Sequence, residues 1–538
     1  TPAERKRILL NNIYGVDIDS QAVEVTKLSL LLKVLEGETG ETLATQLKMF
    51  QERALPDLGS NIKCGNSLID SEYYASQQMS FLSEDERYRI NVFDWQAEFP
   101  HVFGGDAGGF DVIVGNPPYI RIQALKEWAP LEVEYFKRKF TAASKGNYDV
   151  YAVFVEQGLK LLNKRGSLGY ILPHKFFNAQ YGEPLRALMA NGKYLRHIVH
   201  FGDEQVFSGA TTYTCLLFLD KAGQERFTFA KADDLLGWRA TGRAIERALP
   251  ASNVGASEWN FTVGRGAGLF ERLKQMPVRL GDLARIFQGL VTGADSVFVV
   301  EGVSPSTGSI AKVRDKNGRV WELEREPLKP FLSRVTVSTY REPIHRHWLI
   351  FPYELADGKA SLISAQKMAS AYPRVWEYLN HRGKELRGRE SGKWNTQQWY
   401  AFGRNQNLTE MEKPKLIVQV ISANGRYAFD DRGLYMTGGG NGPYYGIRWK
   451  QDNGGHSLHY LQAVLSSKLL EFYLHRVSTT FRGGYYSYAK RFIEQLPIRT
   501  IDFASKADRA RHDRMVALVE QMLTLNKQLL AANTAHEK

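Results

Sequence analysis

Apolar and polar positions follow two regimes along the 538-residue chain. In the first half, short apolar runs end in small polar turns and are followed by stretches with helical spacing. Ile13-Tyr14-Gly15-Val16-Asp17-Ile18-Asp19 reads as a strand ending in carboxylates, and a helix begins at Ser20, taken as its N-cap, and runs on through Val25. Residues 61–68, Asn-Ile-Lys-Cys-Gly-Asn-Ser-Leu, form a second strand that enters a small polar turn, and Phe110 to Gly115 a third. Asn147 to Leu162 has helical apolar spacing and ends at Gly166; Ser167 to Pro173 reads as a strand and Thr211 to Leu219 as a last one. Alternation of this kind predicts a doubly wound, Rossmann-like α/β domain over residues 1–262. Periodicity weakens from Lys221 to Gly264, which reads as the domain connection. A mixed α+β domain is expected over residues 263–505. A C-terminal helix over 506–538 follows, with Met515, Leu518, Val519, Met522, Leu523 and Leu529 on one side and packing back on its own domain as the default.

Composition adds three bounds. The chain is too long for one compact domain. Seventy basic against 58 acidic residues give a net charge of +12, an excess consistent with a polyanionic partner that does not prove one. The two cysteines, Cys64 and Cys215, argue against a disulfide scaffold and for a reducing, cytoplasmic setting, and no run reaches the apolar length of a transmembrane helix.

The chemistry concentrates where the third strand stops, at Asn116-Pro117-Pro118-Tyr119. An exocyclic amino nitrogen is a poor nucleophile because its lone pair is delocalised into the ring. An Asn side-chain oxygen accepts one amino hydrogen and a backbone carbonyl of the same turn accepts the other, which favours the tetrahedral nitrogen of a transition state. Two prolines stiffen the turn and donate nothing. Tyr119 offers a flat face for an extruded base. Asp17, at the carboxyl end of a strand, is placed to hold ribose hydroxyls, although many such acids only cap the next helix. Asn66 is placed to meet the adenine amino group of a cofactor.

These motifs, in this order, resemble the γ-class amino-methyltransferases that make N6-methyladenine, in particular the TaqI-type enzymes and the methylase part of single-chain type II restriction-modification proteins. The resemblance implies an S-adenosylmethionine-dependent methyltransferase domain followed by a target recognition domain, with double-stranded DNA as partner and no metal for methyl transfer. By resemblance Asp17 takes the cofactor ribose, Ile18 packs on its adenine, Asn66 and Ser67 form the adenine-binding turn, and Asn116, Pro117, Pro118 and Tyr119 form the catalytic loop. Gly202-Asp203-Glu204-Gln205-Val206-Phe207 resembles a later motif of the family, which sets Phe207 opposite Tyr119 across the flipped base; a core Phe at a strand end is the bland alternative.

One departure from the pattern concerns the family's glycine loop, which should precede Asp17 by some tens of residues. Thr1 to Asn12 reads instead as a helix tail, so the sequence reads as a fragment whose cofactor binding is expected to be impaired. Gly281 to Asp295 and the segments 481–488 and 492–498 resemble parts of the family's specificity domain. Between Tyr378 and Asn407, basic residues interleave with aromatics, making Arg382, Arg387, Arg389, Trp394 and Arg404 candidate DNA contacts; the glycine-rich loop 436–445, with Gly439, is a second candidate. A solvated basic loop beside a core, and simple hairpin glycines, are the competing readings. Three function classes stay open: a site-specific adenine methyltransferase of a restriction-modification or phage-defence system, the methylase-specificity part of a bifunctional endonuclease, and an idle DNA-binding module. Cytosine-N4 transfer more often uses Ser in the first loop position, and neither cysteine follows a proline as a cytosine-C5 nucleophile would. The E-x-K at Glu4-Arg5-Lys6 has no partner acid ahead of it, so cleavage is not expected from this part. A monomer is expected, with association to nuclease or other defence subunits open.

Overall fold

The computed structural model describes residues 2–37, 56–76, 84–105, 108–207, 212–264, 266–303, 308–439, 443–450, 455–481 and 483–531. The chain packs as two compact units, residues 1–264 and 265–538.

In the first unit, helix α1 (Pro2–Asn12) leads into strand β1 (Gly15–Asp17), helix α2 (Ser20–Leu35) and strand β2 (Ile62–Cys64). The cap of α2 is Asp19, whose carboxylate accepts the Gln21 N–H, one residue earlier than Ser20. β1 and β2 pair in parallel, Asp17 opposite Cys64. The larger sheet contains β3 (Phe110–Gly115), β4 (Leu162–Pro173), β5 (Leu195–His200), β6 (Thr214–Asp220), β7 (Arg226–Lys231) and β8 (Ile245–Pro250), in the order β3-β4-β6-β5-β7-β8. β3 lies parallel to β4, β6 is antiparallel to both its neighbours β4 and β5, and β5 is parallel to β7. β3, β4 and β5 therefore point the same way, and their carboxyl ends share one edge of the sheet. That edge is where ligands bind in open α/β sheets.

Three sequence expectations change here. Thr211 to Leu219 was expected to close the sheet, yet β6 lies in its interior and two more strands follow. The stretch Lys221 to Gly264 is accordingly no connection but part of the domain: Phe227 and Phe229 alternate inward on β7 and are almost fully buried. Gly166 does not end a helix either. The helix Tyr151–Leu161 passes directly into β4, and a Cβ at Gly166 would stand 2.6 Å from the Phe110 carbonyl oxygen, so glycine is what lets β3 and β4 close up. An aromatic cluster links the β1 and β3 regions: the Tyr14 ring lies 5.2 Å from Phe99 and 5.9 Å from Phe110. β3 keeps one edge without a strand partner among the described residues, with Val112 and Val114 exposed.

The second unit is mixed α and β. One antiparallel sheet combines Ala428–Asp430, Lys415–Gln419, Tyr444–Trp449 and Ala284–Gln288, and a six-stranded sheet runs from Val320–Glu324 to Tyr435–Met436. The C-terminal helix Lys506–Ala531 packs back on this unit, with the His512 ring receiving the Ser457 N–H and Arg341 donating to Asn526. Of the stripe read from the sequence only Val519 is buried; Leu518 and Met522 are exposed.

Candidate active site and nucleic-acid interface

The turns after β1 and β2 meet. The Gly65 N–H donates to the Asp17 carbonyl at 2.8 Å, and the Asp17 carboxylate, itself exposed, accepts the Asp19 N–H at 2.9 Å. Ile18 is 54 % exposed beside it, an apolar side chain held out at a strand end. A Cβ on Gly65 would stand 2.5 Å from the Phe93 ring, which fixes glycine there and holds the next residue in place. The Asn66 side-chain oxygen accepts the Leu68 N–H, leaving its NH2 as the group able to face a ligand, and the Ser67 carbonyl accepts the Trp95 indole N–H. The structure thus gathers Asp17, Ile18, Asn66 and Ser67 into one place.

At the end of β3, Asn116 is exposed, Pro117 buried and Pro118 exposed. The loop is fixed behind its tip: Val150 N–H donates to Ile120 O at 2.8 Å and Ile122 N–H to Tyr148 O at 2.9 Å. Half-buried Tyr119 donates its hydroxyl to the Ile171 carbonyl on β4 at 3.3 Å, and burial pushes its pKa up to about 12, so it stays neutral. Phe207 comes from a different loop, the one leaving β5, and is partly buried. By the strand directions both loops rise from the same edge of the sheet.

That edge also holds two histidines: His174, which the sequence places after a strand with a structural or phosphate-contact role and no catalytic one, and His200, which sequence reasoning missed. His174 follows β4 and His200 ends β5; their rings lie 4.1 Å apart. His200 Nδ1 accepts the Gly202 N–H at 2.9 Å and His174 Nε2 meets the Gly202 carbonyl at 3.2 Å. A strand-ending His two residues before a glycine was the only signal in the sequence. Lys175, next to His174, is exposed.

In the second unit the basic-aromatic stretch divides. Arg382 is buried, 2.6 Å from Glu385 and 3.7 Å from Asp315. Arg389 donates to the carbonyls of Leu386, Thr292, Trp399 and Ala401 and lies over the Trp394 ring. Arg389 spends its donors on backbone carbonyls and Arg382 is shut away by burial beside two carboxylates, so both guanidiniums serve the fold. Trp399, Tyr400 and Phe402 are core side chains. Arg387 covers the Trp399 ring and is half-buried, whereas Lys384, Lys393 and Arg404 are exposed. Gly439 donates its N–H to Thr437 Oγ1; Gly440, Asn441 and Gly442 lie outside the described residues, as does Arg482. Replacing Lys384, Lys393 and Arg404 by Gln is expected to lower duplex affinity and to reduce the log–log salt slope by about 1 per lost phosphate contact. Filter binding over a salt series measures it; an unchanged slope moves the surface to the Gly438-Gly439 loop.

Comparison with known proteins agrees with these two parts. The model of the Eco57I restriction-modification methylase matches residues 11–207, and that of the TaqI-like C-terminal specificity domain matches residues 367–498. The type II restriction enzyme and methyltransferase RM.Eco57I of Escherichia coli is 30% identical over 524 residues, covering 95% of this chain and 50% of the relative. The type II methyltransferase M.PaeR7I of Pseudomonas aeruginosa is 25% identical over 423 residues, 75% of this chain and 67% of the relative. The chain therefore spans half the length of the first relative and about two thirds of the second. In fold it is similar to the type IIL restriction-modification enzyme MmeI, solved in complex with DNA, with a TM-score of 0.53 at 12% identity over 97% of this chain and 67% of that one. Residues 11–207 are thus similar to restriction-modification methylases, and residues 367–498 to the TaqI-like specificity domain.

Proposed function

We propose that the protein transfers a methyl group from S-adenosylmethionine to the N6 amino group of an adenine extruded from double-stranded DNA, at a site chosen by its second unit. The observation that carries the reading is an exposed Asn116 at the ligand edge of the sheet, on a loop braced from behind and backed by Tyr119. The residues at the ends of β1 and β2 fit the cofactor's adenosine: the Asp17 carboxylate suits two ribose hydroxyls, the exposed Ile18 suits a purine face, and the Asn66 amide suits a ring edge. Bound there, S-adenosylmethionine supplies an electrophilic methyl group on its sulfonium, and no metal is required.

The chain's own work is to prepare the nucleophile. Asn116 Oδ1 accepts one amino hydrogen and a carbonyl of the proline turn the other, so the nitrogen lone pair leaves conjugation with the ring. The two prolines keep these acceptors from relaxing toward water. Tyr119 and Phe207 stack on the extruded base from opposite faces and replace the stacking lost from the duplex. The arrangement needs no covalent enzyme intermediate. Target choice by the second unit and any association with a cleaving subunit belong to the same proposal.

The stacking half is open to direct test. Phe207→Ala should weaken capture of the extruded base by about 1–3 kcal/mol, read as a drop in the fluorescence of an adenine analogue at the target. If flipping and rate match the wild type, Phe207 is only packing.

A further inference from the structure

We propose that His174 and His200 are positioning residues that grip the backbone of Gly202 and thereby set the loop 201–207, and with it Phe207, against the extruded base. The proposal deepens the adenine reading and rests on it.

The grip has two arms on one peptide neighbourhood. His200 Nδ1 receives the Gly202 N–H, so that nitrogen carries a lone pair and the proton of the neutral ring is on Nε2. His174 Nε2 faces the Gly202 carbonyl at hydrogen-bond distance, which makes it a donor. The two imidazoles are 4.1 Å apart; the Phe177 ring lies 5.9 Å from His200, and Tyr213 stacks near His174. Gly202 has φ +59, a left-handed conformation that turns the chain sharply out of β5, and Phe201 behind it is buried. Farther along, Val206 packs against the small cluster formed by Val199, Phe201, Ala230, Ala232 and Leu235, and its carbonyl accepts from Arg239 at 3.3 Å. The loop is thus held at residues 202 and 206, and Phe207 is the next residue. Burial keeps both rings uncharged, His174 at about 4 and His200 well below the ordinary imidazole range, the latter aided by His174 and by Lys231 on β7. Lys231 is itself paired with Asp233. Uncharged rings suit one acceptor arm and one donor arm; a protonated His200 would lose the acceptor.

The test separates ring packing from hydrogen bonding. His200→Phe and His174→Phe keep an aromatic ring and remove the bonding nitrogens. His200→Asn restores an acceptor near Nδ1, and His174→Gln a donor near Nε2. In the free protein, amide exchange of residues 202–207 should quicken in the Phe variants while β4 and β5 keep their protection, and should return toward wild type in the Asn and Gln variants. On a duplex substrate kcat should fall by roughly 10- to 100-fold in the Phe variants, as expected for a displaced contact surface, with KM nearly unchanged and recovery in the conservative pair. Unchanged exchange and kcat in the Phe variants would overturn the proposal, as would Asn and Gln variants no better than Phe. If the wild-type protein methylates no adenine, the adenine reading fails by itself, and the exchange result alone decides whether the histidines hold the loop.

Discussion

Asn116→Ala should lower kcat for methyl transfer by about 10²–10³-fold, the scale seen when one preorganised electrostatic partner of a transition state is removed, while duplex binding stays close to wild type. Asn116 is exposed at the tip of a loop whose flanks are bonded to Tyr148 and Val150. Removing its amide therefore takes away an acceptor and little of the fold. Asn116→Asp keeps an acceptor oxygen and should retain more activity than Ala. The contrast separates polarisation of the amino group from shape. Steady-state kinetics with binding measured in parallel decides it: a loss confined to KM would mean that Asn116 only helps to hold DNA.

The second large effect is on stability and belongs to the other unit. Lys415 and Asp430 face each other across paired strands, both fully buried, with Nζ 2.6 Å from Oδ2. Asp430 also accepts the N–H groups of Arg432 and Leu434, and Lys415 donates to the Met411 carbonyl. Lys415→Ala strands a carboxylate in the core and should destabilise the unit by about 3–5 kcal/mol. The double change Lys415→Met, Asp430→Leu removes both charges and should recover most of that loss. Chemical denaturation of the three variants tests this, and a mild single variant would mean that Asp430 finds water or another donor.

What was legible in the sequence was local. The strand into Asn116-Pro117-Pro118-Tyr119 and the acid at Asp17 announce themselves because proline rigidity and strand-end carboxylates act within a few residues. The parallel pairing of β1 with β2 agrees with the α/β alternation. What stayed hidden depends on distant partners. β7 and β8 were read as a linker because glycines and charges dilute their alternation, and only pairing across the sheet reveals Phe227 and Phe229 as core. Arg382 and Arg389 looked like phosphate ligands because a cation's composition is the same whether water, phosphate or four carbonyls surround it. The aromatics interleaved with them, Trp399, Tyr400 and Phe402, are core side chains, and sequence does not tell a ring that meets a base from one that packs. The His174–His200–Gly202 cluster needs the ends of β4 and β5 to meet across the intervening β6, which no spacing within either strand records.

The central claim is that the exposed acceptor at the end of β3 serves an adenine amino group. Its most direct test is to incubate the protein with duplex DNA and S-adenosylmethionine carrying a labelled methyl group, digest the DNA, and identify the labelled nucleoside by mass spectrometry. The account predicts N6-methyladenine as the labelled product, absent with Asn116→Ala. Label in N4-methylcytosine, or N6-methyladenine formed equally well by Asn116→Ala, would contradict it.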